Sequence, residues 1–277
     1  MSKNPVIPFH HFGGKGKMIH FAHANGYPPE GYQEFIQPLS KEYEIIASKY
    51  RPLWENQSPK TVKSWHTFAD DLIRFMDEKG LQNVIGMGHS MGGTISSIAA
   101  MKRPDLFEQL ILIDPVIFPK KYNLWTKFLP NSLLKRIIPI AKASTKRRDQ
   151  WNNKQEVFDS WRTKRVFKRF TDSVLNDFVN AAIVPNPQGG VTLAYPKAWE
   201  TQVYLTAPYI FSDLVKMKKP MTVIKAEYTD VISDGLWKEW QQKQPATTFI
   251  EYKDAGHLIP MEYPVPLAET ILKQIIK

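Results

Sequence analysis

The chain of 277 residues contains no cysteine. That absence excludes disulfide staples, cysteine-ligated zinc and iron–sulfur sites, and thiolate catalysis. It also fits a reducing compartment. No run approaches the ~18 consecutive apolar residues of a membrane span. The first residues, Met1-Ser2-Lys3-Asn4-Pro5, lack the apolar stretch of a signal peptide, so the expected location is cytoplasmic. Neither GxGxxG nor HExxH occurs, which removes the dinucleotide-binding turn and the zinc-hydrolase helix. What remains is an ordinary globular composition, with 43% hydrophobic and 23% charged residues. A chain of this length can bury a large core without cross-links.

Acidic residues are scarce in one region. The formal net charge is +10. Between Val116 and Lys219 there are 19 Lys and Arg against 7 Asp and Glu, whereas the rest of the chain is slightly acidic. This shift marks a boundary. It divides the chain into a core of residues 1–116 and 214–277 and an insertion of residues 117–213.

The core alternates apolar strands with helical patterns. Lys17–Ala22, Tyr43–Ser48, Asn83–Gly88, Gln109–Asp114, Met221–Ala226 and Thr247–Tyr252 read as strands. Thr61–Lys79, Met91 to about Lys102, Ser233–Gln242 and Val265–Ile276 read as helices. Strands that are apolar throughout and alternate with helices predict an α/β fold, a parallel sheet covered on both faces. From Pro119 to Asp213 the pattern is helical, with no convincing strand. Its clearest element is a helix over Thr163–Ala182, with an apolar stripe that starts at Val166.

Gly88-His89-Ser90-Met91-Gly92-Gly93 lies between a predicted strand and a predicted helix. It matches G-x-S-x-G, and the small residues two before and two after the serine let the chain fold back sharply. A serine hydroxyl needs an adjacent base to act as a nucleophile. His257, just after the last strand, is the candidate base. His10, His11, His20 and His66 look like surface positions on strands or helices. A carboxylate must then hold the imidazole. Asp230, after Met221–Ala226, is preferred, and Asp114, after Gln109–Asp114, is its rival. Two N–H donors would hold an oxyanion. Met91 supplies one and Asn25, in His23-Ala24-Asn25-Gly26, the other, with Ala24 or Tyr27 as alternatives in that loop.

The ordered set HANG, GHSMGG, LILIDP, AEYTDVIS and AGHLIPMEYP resembles serine hydrolases of the α/β-hydrolase superfamily, over essentially the whole chain. The resemblance implies a mostly parallel eight-stranded sheet flanked by helices, with a helical cap inserted after the sixth strand. It implies a Ser90–Asp230–His257 triad, an acyl-enzyme intermediate and no metal or organic cofactor. Some capped relatives use an aspartate nucleophile, and Ser90 departs from that pattern toward acyl transfer. The expected activity is carboxylic ester hydrolysis of a small-molecule substrate. Carbon–carbon, lactone or thioester hydrolysis with the same triad, or weakly catalytic ligand sensing, are the alternatives.

The basic insertion invites three readings of partner. Apolar residues among the cations of Tyr122–Trp151 could form a face for peripheral membrane contact. Arg147, Arg148, Arg162 or Arg165 could face the pocket and select acidic substrates. Lys164–Arg169 could meet nucleic acid, but no recognised nucleic-acid motif accompanies it, and no such partner is expected.

Overall fold

A computed structural model of the protein describes residues 5–120, 129 and 131–276. Trp125, Lys127 and Phe128, part of the basic stretch above, lie outside the described residues.

Seven strands form the main sheet among the described residues. They are β1 (Phe9–Gly13), β2 (Met18–Ala22), β3 (Glu44–Ser48), β4 (Val84–His89), β5 (Phe107–Ile113), β9 (Met221–Tyr228) and β10 (Thr248–Gly256). Their order is β1-β3-β2-β4-β5-β9-β10. Only β1 runs antiparallel, against β3; every other pair is parallel. Among the described residues the sheet therefore has seven strands, not the expected eight. Pro5 and Pro8 precede β1 and cannot donate to a ladder, which leaves room for one short antiparallel edge strand before β2. That strand, Phe-His-His-Phe-Gly, has no clean apolar alternation, and the sequence did not reveal it.

The sheet separates two cores by the period-2 alternation of its strands. Ile19, Phe21, Ile45, Ile85, Met87 and Ile111 pack on one face against α1 (Gln33–Leu39) and α10 (Pro264–Leu272). Ile46, Val84, Leu110, Leu112, Met221 and Val223 pack on the other, against α2 (His66–Glu78) and α3 (Met91–Lys102). Helix α3 is buried from Met91 to Ala100, so it reads as apolar all round and sits inside the molecule. Helix α2 begins later than its sequence pattern predicts, because Pro59–Thr61 forms a separate 3-10 turn.

Between β5 and β9 the chain forms helices α4 (Asn131–Ile137), α5 (Pro139–Lys146), α6 (Lys154–Arg162), α7 (Asp172–Ala182), α8 (Lys197–Leu205) and α9 (Phe211–Leu214). It also forms a three-stranded antiparallel sheet that the sequence did not suggest: β6 (Gln150–Trp151), β7 (Ile183–Pro185) and β8 (Val191–Leu193), in the order β6-β8-β7. Strands of two or three residues are too short to carry a periodicity.

The long helix expected over Thr163–Ala182 is two pieces. Arg165–Phe167 is a 3-10 turn, and the Thr171 side chain accepts the Val174 N–H at 3.2 Å, capping a new helix at Asp172. The break turns Phe167 and Phe170 inward and leaves Val166 half exposed. The insertion is packed onto the sheet domain: Tyr27 stacks on Phe178 with centroids 4.7 Å apart, and Trp65 Nε1 donates to Val203 O at 2.9 Å. No helix among the described residues is long and apolar enough to cross a membrane.

Candidate active site

The parallel strands end at one edge of the sheet, where β4, β5 and β10 each deliver one polar residue. Ser90 follows β4 with φ 57° and ψ −123°, a conformation that costs a non-glycine residue roughly 1–3 kcal/mol. The neighbouring glycines explain how the turn holds. A Cβ on Gly88 would lie 2.5 Å from the Gly92 carbonyl, and one on Gly92 would lie 2.0 Å from Ala22 O. The serine turn is thus pressed against the start of α3, and α3 is pressed against the loop that carries Ala24 and Asn25.

His257 Nε2 lies 2.8 Å from Ser90 Oγ, and its Nδ1 lies 2.6 Å from Asp114 Oδ2. A carboxylate only accepts, so Nδ1 carries the proton and Nε2 accepts from the serine hydroxyl. Asp114 leaves β5 with φ 42° and is fully buried. Its Oδ1 accepts the Ala226 N–H at 3.1 Å, and its Oδ2 accepts the Thr229 hydroxyl at 2.6 Å. Its own N–H donates to Ile224 O at 2.7 Å. A buried charge needs such partners to persist.

The preference for Asp230 is corrected. Asp230 is exposed, two residues beyond the end of β9, while the rival Asp114 occupies the imidazole Nδ1. Strand order alone does not select Asp114, because β9 and not β5 is the neighbour of β10. Asp114 leaves β5 with a positive φ, and the Ala226 N–H and Thr229 hydroxyl hold its carboxylate beneath the histidine.

Met91 opens α3, so its N–H has no preceding helical carbonyl to meet and points toward the serine end of the helix. In the facing loop, the Ala24 N–H donates to the Tyr32 hydroxyl at 3.2 Å. That bond occupies Ala24 and keeps Asn25 as the candidate second donor. The Asn25 side chain is itself anchored, with Nδ2 donating to Glu200 O at 3.2 Å.

His89, the residue between Gly88 and the serine, has a role that the sequence reading overlooked. Its Nε2–H donates to the His257 carbonyl at 2.8 Å, and its Nδ1 accepts from the Tyr32 hydroxyl at 2.9 Å. One hydrogen-bonded chain therefore runs from Ala24 N–H through Tyr32 and His89 to the backbone of His257, tying three loops together. Burial holds His89 neutral, with its pKa lowered to about 3, and burial pushes the Tyr32 phenol well up. Both groups keep the protons this chain requires. The clue in the sequence was an imidazole inside a strand-to-helix turn, where the backbone gives it no route to solvent. His20, expected on the surface, is also fully buried, with Nε2 2.9 Å from Ser48 Oγ and its pKa lowered to about 3 by burial.

The insertion contributes Glu200 and Arg147. Arg147 Nη1 donates to Glu200 Oε2 at 2.5 Å and the Tyr204 hydroxyl to Oε1 at 3.3 Å. Burial raises the Glu200 pKa, and Arg147 opposes that rise. Of the other arginines considered for an acidic substrate, Arg148 pairs with Glu156 and Arg162 with Asp172. Pro52, Leu53 and Trp54 line a cleft of about 610 Å3 at the seam with the insertion, but Ser90, Asp114 and His257 do not line it. Among the described residues no three His, Asp or Glu side chains converge as a metal site.

Comparison with known proteins agrees with this architecture. The chain is 22% identical over 251 residues to an uncharacterized hydrolase, YugF, of Bacillus subtilis, covering 87% of this chain and 83% of that protein. It is 46% identical over 107 residues to the strigolactone esterase D14 of Arabidopsis thaliana, over 36% of this chain and 39% of the relative. The crystal structure of E-2-(acetamidomethylene)succinate hydrolase superposes with a TM-score of 0.78 at 16% identity, covering 96% of this chain and 93% of the other. The profile of the alpha/beta hydrolase fold matches residues 4–264, and with the seven-stranded sheet and its serine turn this places the chain in the alpha/beta hydrolase family.

Proposed function

We propose that the protein hydrolyses carboxylic esters through Ser90, His257 and Asp114. The observation that carries this reading is the unbroken hydrogen-bonded series from the Ser90 hydroxyl through both nitrogens of His257 to a buried carboxylate. Ser90 Oγ attacks the ester carbonyl as its proton passes to His257 Nε2. Asp114 stabilises the imidazolium without taking a proton. The Met91 and Asn25 N–H groups face the developing oxyanion, and each such donor contributes roughly 3–4 kcal/mol to transition-state stabilisation. The alcohol departs with the proton from Nε2. Water then adds to the acyl-serine with His257 again as base, releasing the acid and restoring Ser90.

In this reading residues 117–213 act as a cap, and Glu200, held by Arg147 and bonded to Asn25, fixes the wall of the site nearest the oxyanion loop. The pairing of Arg147 with Glu200 supports a neutral acyl substrate over an acidic one, since an incoming carboxylate would have to displace the buried carboxylate already on that guanidinium.

Fluorophosphonate labelling followed by mass spectrometry tests the nucleophile. The expected adduct is on Ser90, and it is absent from Ser90→Ala and His257→Ala. Labelling elsewhere, or p-nitrophenyl ester turnover that survives in Ser90→Ala, defeats the proposal. A panel of esters, thioesters and lactones then ranks the bond types.

A further inference from the structure

We propose that the outer face of the α4–α5 helical pair docks on anionic lipid bilayers. The pair buries only one side. Leu134, Ala141 and Ser144 turn inward, where Leu134 and Ala141 pack with Leu205 of α8 and the Ser144 hydroxyl meets Thr201 at 2.7 Å. Flanking that buried face, Leu133, Ile137 and Ile140 are 40%, 53% and 52% exposed. Beside them runs a groove of about 650 Å3 lined by Lys135, Arg136, Lys142, Thr145 and Lys146, with no acidic side chain.

The charge on this face is unspent. Arg147 and Arg148, next along the chain, pair with Glu200 and Glu156. Among the described residues none of Lys135, Arg136, Lys142 and Lys146 has a carboxylate within 4.0 Å. Two features occur together here: cations without internal partners, and aliphatic side chains without a covering surface. An anionic bilayer satisfies both, through head groups at the groove and an acyl boundary under the aliphatics. Nucleic acid would satisfy the cations and leave the aliphatics in water. The docked face flanks the side packed on α8, whose Glu200 touches the oxyanion loop, and uses residues that this packing leaves exposed, so docking leaves the contacts of the serine site undisturbed. The proposal does not depend on the bond that Ser90 cleaves.

Cosedimentation with sucrose-loaded vesicles tests it, using phosphatidylcholine with about 30% phosphatidylserine against phosphatidylcholine alone. At about 0.05 M salt, binding to the anionic vesicles should exceed binding to neutral ones at least ~10-fold. It should collapse at about 0.5 M, where screening is short-ranged. Lys142→Gln/Lys146→Gln should lower the partition coefficient roughly 25-fold, about fivefold per cation. Ile137→Ser/Ile140→Ser should lower it as well, with soluble-ester turnover unchanged in both variants. Ser90→Ala should bind vesicles as the wild type does, which separates this result from the fate of the hydrolase reading. Equal binding to neutral and anionic vesicles, no binding to anionic vesicles at low salt, or unaltered binding by both double variants overturns the proposal. So does displacement by inorganic phosphate at matched ionic strength with the isoleucine variant unimpaired, because that pattern marks a site for free anions.

Discussion

The sheet domain and the insertion hold their polar groups in opposite ways. At the strand ends, Ser90 and Asp114 are fixed by positive φ, by glycines with no room for a Cβ and by backbone hydrogen bonds that come from distant parts of the chain. In the insertion, several charged groups are held by side-chain pairs such as Arg147–Glu200, Arg148–Glu156 and Lys197–Asp149, and some cations have no pair. The contrast teaches that a reactive site is made exact by backbone geometry, which tolerates little substitution. A surface that selects partners can be built from side chains and changed piecemeal.

The sharpest way to break this comparison is to exchange the two candidate acids. Asp114→Asn should lower kcat roughly 10^4-fold, because the amide turns the imidazole to the wrong tautomer. Asp230→Asn should stay within about twofold of the wild type. Equal losses on a p-nitrophenyl ester would show that the buried partner does not orient the base.

Gly92→Ala comes next. Its Cβ would lie 2.0 Å from Ala22 O, so the loop carrying Asn25 must move. The expected outcome is destabilisation of about 3 kcal/mol or more in urea unfolding, with activity largely lost. Gly189→Ala, in the hairpin between β7 and β8, meets nothing within 4 Å but keeps φ 108°. It should cost only about 1–2 kcal/mol of backbone strain and leave turnover unchanged.

Acid should weaken the sheet domain specifically. His20 and His89 have pKa values lowered to about 3 and His23 to about 4, chiefly by burial. For a histidine with a depressed folded pKa, the stabilisation is complete above the unfolded value of about 6.5 and is lost as pH falls toward the folded value. At pH 5 each should cost about 2 kcal/mol relative to neutral pH, a loss set by the unfolded pKa. Unfolding free energies at pH 7 and pH 5 check this, and His20→Gln should flatten the slope. A slope that is unchanged in His20→Gln would mean the imidazole charges without penalty.

The smallest effect isolates the link between loops. Tyr32→Phe removes the hydroxyl that joins Ala24 N–H to His89. It should lower kcat about tenfold with KM little changed, since it displaces groups that act in the transition state. A rise in KM alone would assign Tyr32 to substrate binding.

Much of the architecture was legible because the strands of a covered parallel sheet are apolar throughout, as in β4 and β5, and because Gly88-x-Ser90-x-Gly92 states a steric requirement in residue names. The misread elements have two causes. β1 is polar and short, β6 to β8 are two or three residues each, and Thr171 interrupts an apolar stripe that otherwise keeps helical period. For the strands, local pattern is weaker than a pairing made elsewhere in the fold; at Thr171 a local cap overrides the stripe. His20 looked like a surface residue because an imidazole is more often exposed than buried, and its partner Ser48 lies on β3, a different part of the chain.

By itself the sequence determined the class of fold, the strained serine turn, the histidine after the last strand and the concentration of positive charge in residues 117–213. Only the tertiary structure decided which acid meets His257, that His89 and Tyr32 join the site, and which cations remain without partners. The physical reason is that turn sterics and apolar periodicity are local and are written in adjacent residues. A hydrogen bond between the end of β5 and the loop after β10 depends on one backbone angle at Asp114 and on partners supplied by β9 and the loop after it, and neither is encoded within a short stretch of chain.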